Sequence, residues 1–245
     1  MPDLMESDGQ IEDDVPVRRI SEGININRAK LAMEDFKRRA SCYNYYIQSV
    51  PADKMADVVI DIAGVHETGS VLDLACGTGS HLKHYPKNVS RCGLDLCKQM
   101  LLKADGNISH RVQAHACALP FQDMAFDAVV CFGAINTFDD CEIELLLKEV
   151  ARVLDDSGCF IVDAPVSPHP STPDRLLYPL LRSYNLLISS VWRCHVTIPY
   201  HNRDLESLKA IFKNHFDKVE TSMRYDLIRM GMGSKSGVGF LVGRR

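Results

Sequence analysis

The stretch Val71-Leu72-Asp73-Leu74-Ala75-Cys76-Gly77-Thr78-Gly79 decides how the chain is read. Val71 to Leu74 have the apolar character of a short strand inside a sheet, and the glycines after them make a tight turn. Ser80 to Tyr85 then reads as helical, with Pro86 ending it. A strand, a glycine turn and a helix start together set backbone amides against a ligand. Such turns usually hold anions, yet an aspartate stands in this strand.

Outward from that turn the chain alternates. Strands are expected at 89–94, 111–114, 126–132 and 159–164, and a helix at 98–104. The run Ala128 to Phe132 is apolar throughout, as a strand covered on both faces requires. Ile143, Leu146, Leu147, Val150, Val153 and Leu154 form the inner stripe of a helix capped by Asp139 or Asp140. Asp155 to Gly158 reads as a turn. Strands alternating with helices predict a mostly parallel α/β sheet with helices on both faces.

Upstream, Asn25 or Asn27 caps a helix with Ala29, Ala32, Met33, Phe36 and Ala40 on one side. A second helix follows Pro51, with Met55, Val58, Val59 and Ile62 inward. Downstream, prolines 165, 168, 170 and 173 break the alternation. Residues 165–200 are expected as an insertion over the ligand-binding edge of the sheet. Asp204 caps a helix with Leu205, Leu208, Ile211 and Phe212 inward. Residues 218–225 and 238–242 are strand-like and suggest an antiparallel hairpin at the sheet edge.

The chain has 245 residues, 46% of them hydrophobic, which fits one domain over 21–245 behind an acidic tail at 1–20. Residues 21–66 hold its N-terminal helices. A net charge of −4 gives no global reason to expect nucleic acid. No apolar run approaches the roughly 20 residues that span a bilayer. The N-terminus lacks the pattern of a secretory signal. Nine scattered cysteines without a C-x-x-C pair read as buried hydrophobes in a reducing cytoplasm, neither disulfides nor a zinc site.

Two ligands compete for the glycine turn. A dinucleotide wants G-x-G-x-x-G, but Leu82 occupies the third position. Asp73 would repel a pyrophosphate by about 1–4 kcal/mol at 4 Å. S-adenosylmethionine carries an ammonium and a sulfonium, so the acid attracts it. Asp95 ends the second strand and suits the ribose hydroxyls of either ligand. The missing glycine and Asp73 favour S-adenosylmethionine.

VLDLACGTG, GLDL (93–96), CALPF (117–121), FDAVVCFGAINTF (126–138) and LLKEVARVLDDSGCFIV (146–162) together resemble the class I S-adenosylmethionine-dependent methyltransferases. The resemblance covers roughly residues 36–163. It is closest to the broad group that includes quinone-biosynthesis and natural-product enzymes. SGVGFLVG near the C-terminus is similar to the closing strand of small sugar N-methyltransferases. The resemblance implies a Rossmann-like fold with a seven-stranded sheet, and methyl transfer to an oxygen, nitrogen or other nucleophile of a small molecule; methylation of RNA or protein, and a non-catalytic protein that binds S-adenosylmethionine or a partner, are the alternatives.

It also implies roles. Asp73, Ala75, Gly77 and Gly79 surround the methionyl part, and Asp95 holds the ribose. Leu96 packs on adenine, while Ala116 and Cys117 give an amide and a wall at its edge. Phe132 and Gly133 lie under the sulfonium, and Tyr43 closes over the cofactor. Many relatives carry an Asp that accepts from the adenine amino group; this chain has His115 between Ala114 and Ala116. For catalysis, His169 in the proline-rich loop is the candidate base. Asn136 and His201 are candidates for the substrate. The basic run Lys37-Arg38-Arg39, with Arg28 and Lys30, reads as a solvated helix face rather than an RNA surface.

Overall fold

The structure is a computed structural model, and it describes residues 24–40, 52–104, 108–165, 201, 203, 205–224 and 238–245. Seven strands form one sheet: β1 Gly69–Leu74, β2 Val89–Asp95, β3 His110–Gln113, β4 Phe126–Cys131, β5 Leu154–Pro165, β6 Lys218–Arg224 and β7 Val238–Arg244. Their spatial order is β3-β2-β1-β4-β5-β7-β6. The first five are parallel, while β7 runs antiparallel between β5 and β6. The order reverses direction between β1 and β4, where open α/β sheets bind ligands. The sheet is thus Rossmann-like, with the hairpin at its edge.

Among the described residues the helices are α1 Ile26–Arg39, α2 Ala52–Ala63, α3 Lys98–Leu101, α4 Asp140–Val153 and α5 Leu205–Phe212. Both sheet faces are covered. On one, α4 buries Ile143, Leu146, Leu147, Val150 and Val153 against Leu72, Val129 and Phe160. At roughly 1.5–3 kcal/mol per buried side chain, that stripe outweighs any propensity term in the helix. Phe212 of α5 stacks on Phe160 at 5.4 Å between centroids. On the other face, α2 lays Met55, Val58 and Val59 on Val71, Val130 and Ile161.

Local chemistry sets the helix ends. The Asn25 side chain accepts from the Arg28 backbone N–H at 3.1 Å, so Asn25, not Asn27, caps α1. Asp139 and Glu142 form a reciprocal capping box at the start of α4.

Three local readings change. Residues 80–85 form no α-helix; a 3₁₀ turn spans Leu82–His84, because Pro86 follows too soon for a second turn. Helix α3 is a single turn that continues only as turns to Ala104. Asp155 to Gly158 lies within β5, as a bulge. From Phe126 to Ala128 the partner register jumps from Leu154 to Cys159, which leaves the polar residues looped out. The Asp155 carboxylate accepts from the Ser157 N–H at 3.1 Å and stabilises that loop.

The seven described cysteines are all free; Cys92, Cys97, Cys117, Cys131 and Cys159 are buried. Among the described residues, no helix is long and apolar enough to cross a membrane. The proposed tail and nearly all of the 165–200 insertion lie outside the described residues.

Candidate functional site

A cleft of about 830 Å³, counting the solvent at its mouth, opens at the carboxyl ends of β1, β2 and β4. Its floor is the glycine turn. Ala75, Gly77 and Gly133 all have positive φ, at 55°, 56° and 67°. This left-handed backbone turns the chain sharply off each strand and strips side chains from the floor. Ala75 is the strained member, since a Cβ disfavours that region.

Asp95 holds the floor together. Its Oδ2 accepts from the Gly77 N–H at 2.8 Å and its Oδ1 from the Cys97 N–H at 2.7 Å. It lines the cleft, and each oxygen keeps a further lone pair. Burial pushes its pKa up to about 6; the two amides pull against this, and the Asp73 charge adds to it.

Asp73 is placed differently from expectation. It is 2% exposed and does not line the cleft. Strand alternation turns it to the α2 side of the sheet, where its Oδ2 meets His81 Nε2 at 2.8 Å. The two atoms are at ion-pair distance without making a hydrogen bond. His81 also packs edge-on against Phe132, 5.2 Å between centroids. Gly79 sits outside the lining as well. A Cβ on it would come 2.2 Å from Ile108 Cδ1, so this glycine serves the turn and its packing.

The roof is α1. Ala29, Ala32, Met33 and Phe36, expected as a buried stripe, are half-buried and face the cleft. Arg28 fixes this roof to the far wall. Its guanidinium donates to the Thr137 carbonyl, and its Nε lies 3.2 Å from Glu142 Oε2. Glu142 is buried, and burial raises its pKa. Arg28 is therefore engaged in the site and not on a solvated face, and Glu142 joins it as a residue that the sequence reading does not single out. The capping pattern Asp139-x-x-Glu142 was the available signal. Arg38 pairs with Asp35, and Arg39 lies 5.5 Å from the centre of the Phe36 ring.

At the β3 end, Ala114, His115 and Ala116 line the cleft beside Phe138. Cys117 does not, and its backbone N–H donates to His115 Nδ1 at 3.2 Å, so that amide is already used. At the β4 end, Phe132 and Gly133 line the cleft, and the Gly133 N–H donates to Asp163 Oδ1 at 2.6 Å. Asp163 is a support that sequence reading missed.

Of the expected residues, Ala75, Gly77, Asp95, Leu96, Ala116, Phe132 and Gly133 converge on the cleft. Asn136 is buried in the turn after β4, and its carbonyl accepts from the His201 N–H at 2.7 Å. The two substrate candidates therefore meet, but neither lines the cleft. Tyr43 and His169 lie outside the described residues.

Comparison with known proteins places these features in context. Residues 71–158 match the methyltransferase domain family. A "Ubiquinone/menaquinone biosynthesis C-methyltransferase" of Pasteurella multocida is 34% identical over 140 residues, 51% of this chain and 48% of that protein. A "Probable tRNA methyltransferase 9B" of Mus musculus is 33% identical over 93 residues, 38% of this chain and 21% of that protein. The chain therefore spans less than half the length of either curated relative. Among solved structures, a Burkholderia thailandensis 1,6-didemethyltoxoflavin-N1-methyltransferase, bound to 1,6-didemethyltoxoflavin and S-adenosylhomocysteine, superposes with a TM-score of 0.61 at 15% identity. The match covers 89% of each chain and speaks for the fold.

Proposed function

We propose, from the premise that the chain belongs by fold and by its 71–158 domain to the class I S-adenosylmethionine-dependent methyltransferases, that its cleft binds S-adenosylmethionine and that a small molecule receives the methyl group. The observation that carries this reading is Asp95, a buried carboxylate with free lone pairs, set between a side-chain-free turn and an apolar roof. Those residues fit the cofactor. Vicinal ribose hydroxyls donate to the carboxylate, the Gly77 turn admits close approach of the methionyl part, and α1 covers the nucleoside. Leu82 in place of a third glycine disfavours a dinucleotide here, whereas Asp73 faces away from the cleft.

When bound, the cofactor supplies an electrophilic methyl group on a cationic sulfur that leaves as a neutral thioether. The chain's task is then positional. Phe132 and Gly133 form the floor on the side where the acceptor must enter, and α1 keeps water out. The acceptor atom needs alignment at about 3–3.5 Å from the methyl carbon. An acceptor that loses a proton needs a base, a role we assign to His169; Tyr43 is assigned to the cover. The free, buried thiols suit a reducing, cytoplasmic setting.

Calorimetry with S-adenosylmethionine tests the reading. Binding is expected, and Asp95→Ala is expected to weaken it by about 1–3 kcal/mol. No binding at millimolar ligand would refute the proposal. For His169→Ala, turnover should fall while cofactor affinity stays; normal turnover removes it as the base.

The similarity to the mouse protein supports a second reading, an RNA acceptor. Against it, Arg28 and Arg38 are engaged with Glu142 and Asp35. Labelled-methyl transfer to bulk tRNA, compared with a small-molecule extract, separates the two.

A further inference from the structure

His115 stands in the turn after β3, at the end of the cleft beyond Asp95. Sheet order fixes the direction of a bound nucleoside. With the ribose at the end of β2 and the methionyl part on the β1 turn, the base extends outward to the end of β3. There it meets Ala114, His115 and Ala116.

The tautomer of His115 follows from its hydrogen bond. Nδ1 accepts from the Cys117 N–H at 3.2 Å, so a neutral ring carries its proton on Nε2. Burial lowers the pKa to about 4, which keeps the ring neutral near pH 7. Phe138 meets the ring edge-on at 6.4 Å and fixes its plane. The open nitrogen of His115 is therefore a donor. A carboxylate at this position offers only acceptors.

The acidic side chain nearest this end, Glu142, has one of its two oxygens directed elsewhere. Its Oε2 accepts from the Asp139 N–H at 3.0 Å and faces Arg28. That oxygen is therefore taken, and the side-chain group that His115 itself offers the base is a donor. Adenine still offers acceptors in its ring nitrogens, and a 6-oxopurine offers its carbonyl oxygen.

We propose that His115 is a specificity-determining residue that makes the cleft indifferent to the 6-amino group, so that its Nε2–H serves the adenosyl and the inosyl forms of the cofactor alike. This rests on the cofactor reading above.

The test is titration calorimetry of the full chain with S-adenosylhomocysteine and S-inosylhomocysteine. The two dissociation constants of the wild type are expected within about threefold of each other, since one donor serves both bases. His115→Asp replaces the donor with an acceptor. It is expected to prefer the adenosyl ligand by about tenfold or more, because the oxo group then faces a carboxylate. His115→Ala, checked by thermal melting, should weaken both ligands by a similar factor.

A wild type that prefers the adenosyl form by tenfold overturns the proposal, even if neither variant folds. An unchanged ratio in a folded His115→Asp does so too. If the wild type binds neither ligand, the cofactor reading itself has failed. If it binds the adenosyl form alone, only the role of His115 has.

Discussion

Asp95 is the residue on which the site's chemistry turns. Its raised pKa, about 6, means it favours folding most below its ordinary value of 3.8, and that contribution is gone once pH has risen through about 6. Ligand binding has the opposite sign. Ribose hydroxyls stabilise the ionised form, so cofactor affinity should rise as pH climbs from 5 to 7. Asp95→Asn should flatten that rise in calorimetry; a slope that survives places the titrating group elsewhere. Ala75 gives a second prediction. At φ 55° its methyl group is strained, so Ala75→Gly should be stabilising or neutral, by up to about 1 kcal/mol in denaturant unfolding. Gly79→Ala should be destabilising by about 1–3 kcal/mol, since the new Cβ meets Ile108 and φ is 64°. At this scale the sequence was legible where spacing was informative, as for Asp95 at a strand end. It was not legible for Asp73. In a strand buried on both faces, apolar pattern does not tell which side carries the cleft, and this carboxylate went to His81.

Among the elements, α1 and α4 are coupled through Arg28 and Glu142. Glu142 has two tasks at once: it closes the capping box with Asp139 and receives the arginine that fastens the roof. Glu142→Ala should therefore lower stability by about 1–3 kcal/mol, more than the loss of a simple surface pair, read as a shift in the denaturation midpoint. Glu142→Gln keeps much of the cap and should recover part of that loss; equal loss in both variants would show that the charge, not the cap, dominates. All seven strands were legible from apolar runs and turn residues, with ends within a few positions except at β5. There the polar run 155–158 signals a turn, whereas Cys159 to Val162 and Leu154 both pair with β4 and the polar residues bulge between them. Tertiary pairing overrode a correct local signal.

For the molecule as a whole, the sheet order and the site's position follow from one rule, that ligands bind where strand order reverses. The alternation of strands and helices makes the mostly parallel sheet readable in the sequence, whereas the strand order is set by pairing that the sequence pattern does not display. The roof was less readable. The periodicity of α1 was recognised, but an apolar stripe at helical spacing ordinarily means contact with protein, and here it faces the cleft. That orientation has a consequence for the life of the protein in its cell. A helix whose greasy side rests on a metabolite borrows part of its order from that metabolite. The cleavable bonds after Lys30, Lys37 and Arg38 should thus be shielded when the small molecule is abundant and attacked when it is scarce. Trypsin digestion across a titration of S-adenosylhomocysteine should slow at those three sites in step with saturation. Supply of the methyl donor would then govern how long each copy survives as well as how fast it turns over.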